Sequence, residues 1–287
     1  MSKINLNRLI ADTATRLKEA GIDDGAAEAE LILCELLDFD RLHLYLNGPS
    51  LLDDHILQKF NDIIERRLTR YPLQYILGSA WFFGRKFMIN EAVMVPTPET
   101  EFLLDLVLGA SRNNKSPHPK LLDIGCGAGI IAISAKLENP NLEVTALDIS
   151  DAALQVARQN AAHFEIDNQL RFVESDLFTS LGKNEKFDII ASNPPYIADG
   201  DYDGLPPEVK ADPKTALLGG VRGLDIISRI ITESPRYLHP AGFLMFEMGY
   251  NQAEEVLEMV KKDGRYVSCN LIKDLNDIDR VAVCRIE

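Results

Sequence analysis

Leu121-Leu122-Asp123-Ile124-Gly125-Cys126-Gly127-Ala128-Gly129-Ile130-Ile131-Ala132-Ile133-Ser134 decides the fold. An apolar run of strand length carries a carboxylate near its end, three glycines follow at alternate positions, and an apolar helical run begins at once. Glycine lets the backbone turn tightly and come close to a ligand, and a helix start offers N–H groups to an anion. Downstream the pattern repeats: apolar runs at 144–148, 170–175, 187–193 and 243–249 are separated by amphipathic stretches, and 266–272 and 280–286 close the chain. Strands alternating with helices predict an α/β fold, a Rossmann-like parallel sheet covered on both faces with ligands at the carboxyl ends of the strands. The last two runs have no helix between them, so one of them is expected to run antiparallel.

Upstream the periodicity is different. Leu6, Leu9, Ile10, Ala14 and Leu17 recur at helical spacing, Asp23 or Asp24 can cap a second helix through Leu31, Leu33 and Leu37, and Ile56, Leu57, Phe60, Ile63, Ile64 and Leu68 make a third stripe. Residues 1–70 therefore read as a small N-terminal helical domain. Residues 71–98, with short aromatic and β-branched pieces such as Trp81–Ile89 and Ala92–Pro96, read as a connector or β-hairpin, and 99–287 as the α/β domain.

The formal net charge of -14 opposes tight, sequence-independent binding to nucleic acid, which rests on Lys and Arg neutralising phosphates. Cys34, Cys126, Cys269 and Cys284 lack paired metal-ligand spacing, and the five histidines are scattered, so no metal site is expected. No apolar run spans a bilayer, and Leu and Ile alternate with charge at the amino terminus, so a cytoplasmic, membrane-free protein is expected.

Position 130 is Ile where a dinucleotide fingerprint has its third glycine, which turns the reading of Asp123, Gly125, Cys126, Gly127, Ala128 and Gly129 from a pyrophosphate towards the smaller methionine carboxylate of S-adenosylmethionine. Asp148, at the end of the next strand, can accept hydrogen bonds from both ribose hydroxyls, or cap the helix beginning near Ser150. Asp176 can accept from an adenine amino group with Leu177 packed on the ring, or it too can cap a helix. The fourth strand runs directly into Asn193-Pro194-Pro195-Tyr196. Two prolines stiffen that loop, so the Asn193 side-chain oxygen and the Pro194 carbonyl become two fixed acceptors for an NH2 group, and Tyr196 can stack on a planar substrate. Fixed acceptors favour a nitrogen that becomes positive as it takes a methyl group.

Together these motifs resemble the peptide chain release factor N(5)-glutamine methyltransferases over nearly the whole chain. The resemblance adds Glu65-Arg66-Arg67, Pro72-Leu73-Gln74-Tyr75-Ile76-Leu77-Gly78, Val95-Pro96-Thr97-Pro98-Glu99-Thr100-Glu101 and the run Phe246–Gln252. It implies a class I methyltransferase domain, S-adenosylmethionine as donor with S-adenosylhomocysteine as product, and the Gly-Gly-Gln glutamine of class-1 release factors as substrate, without direct nucleic-acid contact. It also implies a cofactor site at Gly125 to Gly129, Asp148 and Asn193. The chain departs from the family pattern at Thr97, Leu177 and Arg222. A glutamine methyltransferase of the same family acting on a ribosomal protein is the nearest alternative; a DNA adenine methyltransferase fits the charge poorly. Arg66, Arg67 and Arg70, at the end of a helix in an acidic chain, are expected either to complement the helix dipole or to meet acidic side chains of the release factor.

Overall fold

A computed structural model describes residues 5–47 and 52–287. The chain forms two compact units: one holds the chain up to Gly78 together with Pro206–Ala211, and the other holds Ser79–Leu205 and Asp212–Glu287.

The first unit is helical: α1 Leu6–Glu19, α2 Gly25–Leu37, α3 Arg41–Asn47, α4 Asp54–Leu68 and α5 Leu73–Leu77. Helix α1 starts where the Asn5 carboxamide accepts from Arg8 N–H, and α4 where the Asp53 carboxylate accepts from Ile56 N–H. Leu17, Ile32, Leu33, Leu44, Phe60 and Ile64 meet as its fully buried core. Two features depart from the sequence reading. Helix α3 was not expected, and residues 73–77, assigned to the connector, form a helix that packs Leu73 into this core. Pro72 sets the entry to α5 and Gly78, at φ 70°, stops it.

The arginines at the end of α4 face two ways. Arg67 is only 5% exposed; it donates to both carboxylate oxygens of Glu28, at 2.8 and 3.0 Å, and to Glu208 at 2.9 Å. Arg70 also grips Glu208, through Nη2 at 2.7 Å. Burial alone would raise the Glu208 carboxyl, yet hydrogen bonds from Arg70, its own backbone and Arg67 carry it down to about 2. Arg67 and Arg70 are thus partners inside this unit instead of a surface offered to acidic side chains. Arg66 is exposed, 5.8 Å from the Tyr71 ring centre.

The second unit opens with the hairpin β1 Ser79–Phe82 and β2 Arg85–Met88, joined by Phe83 and Gly84, both at positive φ as a two-residue hairpin turn requires. Then follow α6 Glu99–Arg112, β3 Lys120–Ile124, α7 Ile130–Glu138, β4 Glu143–Asp148, α8 Asp151–His163, β5 Leu170–Glu174 and β6 Phe187–Ser192. The short α9, Pro207–Lys210, lies in the segment that belongs to the helical unit. The chain ends with α10 Lys214–Leu217, α11 Asp225–Glu233, β7 Leu238–Glu247, α12 Ala253–Asp263, β8 Tyr266–Lys273 and β9 Asp279–Ile286.

The seven strands lie in the order β5-β4-β3-β6-β7-β9-β8. From β5 to β7 neighbours are parallel, and β9 is antiparallel to both β7 and β8. Successive residues of β3 serve two cores: Leu121 joins Leu104, Val107 and Ile131, while Leu122 joins Ile227, Ile230 and Val256. This two-sided burial explains why the strands read as apolar runs instead of alternating.

The order reverses between β3 and β6: the chain builds β4 and β5 on one side of β3, then returns to lay β6 on the other. Connections from two such strands diverge and leave a crevice at their carboxyl ends. Ile124 lies opposite Ser192, whose Oγ donates to the Ile124 carbonyl at 2.8 Å. That pairing sets the glycine loop beside Asn193.

Candidate active site

At this crevice lies a cavity of about 340 Å³ within the α/β unit, with a predominantly apolar wall. Gly125, Cys126, Gly127 and Ala128 line it, as do Asp148, Asp176, Leu177, Asn193 and Pro195. The glycine loop needs its glycines for different reasons. Gly127 stands at φ 52°, and a β-carbon there would meet nothing within 4 Å, so a side chain would occupy the space a ligand needs. Gly129 stands at φ 80°, and a β-carbon there would come within 2.9 Å of Ile133 and 3.1 Å of Ala157. Its role is helix packing, and it does not line the cavity.

The loop's N–H groups are partly committed. Gly125 and Cys126 donate to the Leu147 carbonyl at 2.8 and 2.9 Å, and Gly127 to Asp148 Oδ2 at 2.9 Å. Asp123, read as a cofactor residue, is fully buried beneath the loop and does not line the cavity. Its Oδ2 accepts from Ala132 N–H at 3.1 Å and so fixes the start of α7, while among the described residues Oδ1 has no partner. Burial pushes its carboxyl up to about 7, against the Ala132 hydrogen bond, with Asp148 adding a like charge.

Asp148 is not the cap of α8; its carboxylate orders the turn before the helix and holds the glycine loop. Oδ1 accepts from Ser150 N–H at 2.9 Å, Oδ2 holds Gly127, and Ser150 itself caps α8 through Ala153 N–H. The Ile149 N–H also bears on this carboxylate, which lines the cavity. Asp176 lines the cavity, and its Oδ1 accepts from Arg229 at 2.9 Å; its side chain is an ion-pair partner and not a helix cap. Leu177 projects from a left-handed turn at φ 50°, stabilised by Ser175 Oγ donating to the Leu177 carbonyl at 2.6 Å.

The residues of Asn193–Tyr196 separate. Asn193 and Pro195 line the cavity, Pro194 is buried behind it, and Tyr196 packs its ring against the core of the α11 and α12 face. Burial, reinforced by the charge of Glu247, raises the Tyr196 phenol to about 12, so it stays neutral. Gln252 at the start of α12 donates to the Tyr196 carbonyl at 2.9 Å and the Gly223 carbonyl at 3.1 Å, clamping the loop from outside. The Asn193 amide is oriented by Thr100, whose Oγ1 accepts from Nδ2 at 3.0 Å.

Three contributors escaped the sequence reading. Ala92, Val93, Met94 and Pro96, assigned to the connector, line the cavity. Thr100, in the first turn of α6, also lines it, and Glu247 ends β7 next to the strand that delivers Asn193. Both lie inside motifs that carry the resemblance, but nothing local marks a threonine on a helix or a glutamate ending a strand as a partner of Asn193. Of the departures from the family pattern, Arg222 pairs with Glu255, and Thr97 Oγ1 lies 3.4 Å from Thr100 Oγ1. Among the described residues no cluster of side chains suits a metal ion, and no helix is long and apolar enough to cross a membrane.

Two family models match the chain: the PrmC N-terminal domain over residues 8–78 and the methyltransferase small domain over 100–205. The release factor glutamine methyltransferase of Geobacter sulfurreducens is 36% identical across 98% of this chain and 96% of its own length. The enzyme of that name from Bacillus cereus is 35% identical across 94% and 95%. Among solved structures, the hMettl16 catalytic domain in complex with an RNA hairpin superimposes with a TM-score of 0.57 at 16% identity, over 78% of this chain and 80% of that one. The Thermus thermophilus 16S rRNA methyltransferase RsmC in complex with AdoMet and guanosine gives 0.51 at 15%, over 73% and 50%. These two likenesses speak to the fold alone. With near-complete coverage at this identity, the chain belongs to the release factor glutamine methyltransferase family.

Proposed function

We propose that this protein transfers a methyl group from S-adenosylmethionine to the side-chain amide nitrogen of the glutamine in the Gly-Gly-Gln motif of class-1 peptide chain release factors. The observation that carries the reading is the Asn193 amide: its N–H2 end is engaged by Thr100, which leaves Oδ1 as the acceptor end at a largely apolar cavity. The cavity suits the donor's adenosyl part. Space above Gly127 would be filled by any side chain, Asp148 presents a carboxylate to the ribose hydroxyls, and Ile149 and Leu177 supply apolar wall. S-adenosylmethionine supplies an electrophilic methyl on sulfur and leaves as S-adenosylhomocysteine.

The residues supply orientation and electrostatics. Asn193 Oδ1 and the Pro194 carbonyl accept the two hydrogens of the glutamine amide and turn its nitrogen towards the cofactor side. Positive charge grows on that nitrogen as the N–C bond forms, so the same two acceptors bind the transition state more tightly than the ground state. Tyr196 stays neutral and stiffens the loop. The surplus proton leaves to water after transfer, so no strong base is required.

Incubation with labelled donor and, separately, release factor, ribosomal protein or DNA tests the reading. Mass measurement is expected to find one methyl on the Gly-Gly-Gln glutamine. Label on a ribosomal-protein glutamine with the release factor unmodified would reassign the substrate.

A further inference from the structure

Glu247 has no part in the chemistry above, and its situation is costly. It is 3% exposed, and among the described residues Oε1 has no hydrogen-bond partner. A buried carboxylate with an unsatisfied oxygen destabilises a fold unless something else retains it. The groups around it are Thr100 and Glu99 from α6, Arg280 from β9 and Tyr196 from the loop after β6. Thr100, itself 1% exposed, holds the Glu247 carboxyl down as a hydrogen-bonding side chain would, and its Oγ1 also lies 3.4 Å from Thr97 Oγ1.

We propose that Glu247 is a positioning residue which, through the Thr100 hydroxyl, fixes the end of the Asn193 amide that faces the reacting nitrogen. The inference rests on the methyltransferase reading above. A carboxamide is nearly symmetrical in shape, so space alone does not choose between its oxygen and its N–H2. Turned over, Asn193 would set N–H donors against the donors of a substrate amide. The Thr100 hydroxyl selects the orientation only if its single proton is committed elsewhere, because a free hydroxyl donates to an amide oxygen as readily as it accepts from an amide N–H. An ionised carboxylate only accepts. Glu247 therefore accepts the hydrogen bond of the Thr100 hydroxyl, Thr100 Oγ1 becomes an obligatory acceptor for Asn193 Nδ2, and Oδ1 is left for the substrate. The chain runs from substrate N–H to Asn193, Asn193 to Thr100, and Thr100 to Glu247, each bond polarising the next and ending on a negative charge.

Protonation of Glu247 would undo the selection, since a carboxylic acid can donate to Thr100. Burial pushes this carboxyl up to about 7, partly offset by the Thr100 hydrogen bond, with Glu99 raising it further and Arg280 opposing. Turnover is then expected to fall as pH drops through that range. Asp123 titrates in the same range, so a pH profile of the wild type does not separate the two.

The experiment compares Thr100→Ser, Thr100→Val, Glu247→Gln and the Val/Gln double variant on whole release factor. It measures kcat from pH 6 to 9, cofactor affinity by calorimetry and thermal stability. Thr100→Ser should keep kcat within about 3-fold, and Thr100→Val and Glu247→Gln should each lose about 10- to 100-fold, the range usual for partners that orient a reacting group. Cofactor affinity should change by less than about 3-fold, and the double variant should be no worse than the poorer single one, because one chain is broken either way. Glu247→Gln has its own stability signature. The wild-type folded state holds the proton up to about 7 and the unfolded chain only to about 4.3, so wild-type stability falls as pH rises through that window. The Gln variant should show a shallower fall, keeping only the share that Asp123 contributes, and melt no lower than wild type above pH 7, which keeps the test valid even if Thr100→Val folds poorly. Near-normal kcat in Glu247→Gln, or losses that add in the double variant, would overturn the proposal. A wild type inactive on every release factor would remove the function reading and this inference together, whereas an active wild type with fully active variants removes the inference alone.

Discussion

At Asn193 the groups read from sequence as acting together are contiguous in the chain, whereas the partners of Arg67 are Glu28 and Glu208, 39 and 141 residues away. Both sites are polar clusters in apolar surroundings, but they are specified differently. Two prolines after Asn193 restrict the backbone wherever the chain goes, so the loop's stiffness is a local property. Arg67 becomes structural only because a short helix after the Asn193 loop folds with the amino-terminal unit and supplies Glu208. A charge cluster read along one helix therefore says little about its role until its distant partners are known.

Variants at the two places should separate the two kinds of design. The largest effect is expected for Asn193→Ala, where losing a fixed acceptor for the developing charge should lower kcat by about 100- to 1,000-fold. Cofactor affinity, measured by calorimetry, should move by less than about 3-fold, and the urea midpoint should stay near wild type. Turnover close to wild type would sink the role given to the loop.

Glu208→Ala should do the reverse at the Arg67 cluster. Removing it leaves Arg67 buried with Glu28 as its only carboxylate beside the Tyr71 carbonyl, and urea unfolding should report a loss of about 3 kcal/mol. Acid should imitate the variant. Glu208 is held down to about 2 when folded and titrates near 4.3 when unfolded, so its stabilisation is complete above the higher value and is lost as pH falls towards the lower. A wild type and Glu208→Ala pair whose stability difference does not shrink between pH 5 and 2 would reject the ion-pair account.

Asp148→Ala comes next, with cofactor affinity expected to fall by about 1.5 to 3 kcal/mol, the worth of charge-assisted hydrogen bonds. Asp148 also holds Gly127 and Ser150, so part of the loss comes from a loosened glycine loop. Asp148→Asn, which keeps an acceptor, should recover a share of the affinity. Equal affinity in all three proteins would reject the ribose role.

The same contrast explains what the sequence made legible. The strand runs were readable because a parallel sheet buried on both faces needs them to be apolar throughout, and all seven form strands of one sheet. The reversal between β3 and β6 was not legible, because alternation alone fixes no strand order, yet it is what brings the glycine loop beside Asn193. Thr100 and Glu247 stayed hidden as Asn193's partners for the reason Glu208 did: each is ordinary in its own segment and acquires its role from a residue far off in sequence. Within the Asn193–Tyr196 loop adjacency says little about side chains: Asn193 and Pro195 line the cavity, whereas the Tyr196 ring joins the core on the α11 and α12 side.

The smallest expected effect sharpens the comparison most, because it concerns a residue one position away from Arg67. Arg66 is exposed and its guanidinium lies 5.8 Å from the Tyr71 ring centre, a contact worth about 0.5 to 1 kcal/mol at such a site. Arg66→Glu should therefore cost at most about 1 kcal/mol in urea, against the much larger loss at Glu208. If the helical unit meets an acidic face of the release factor, Arg66 is the member of the cluster still turned outward to do so, and its reversal should lower kcat/KM for the whole protein substrate. Exposed charges steer association and are screened over about 8 to 10 Å at ordinary salt, so the loss should fade as salt is added. A short glutamine peptide should be methylated equally by both proteins at every salt concentration. A deficit on the whole release factor that salt does not relieve would point to lost packing on Tyr71, and no deficit at low salt would leave the arginines at the end of α4 with a structural role only.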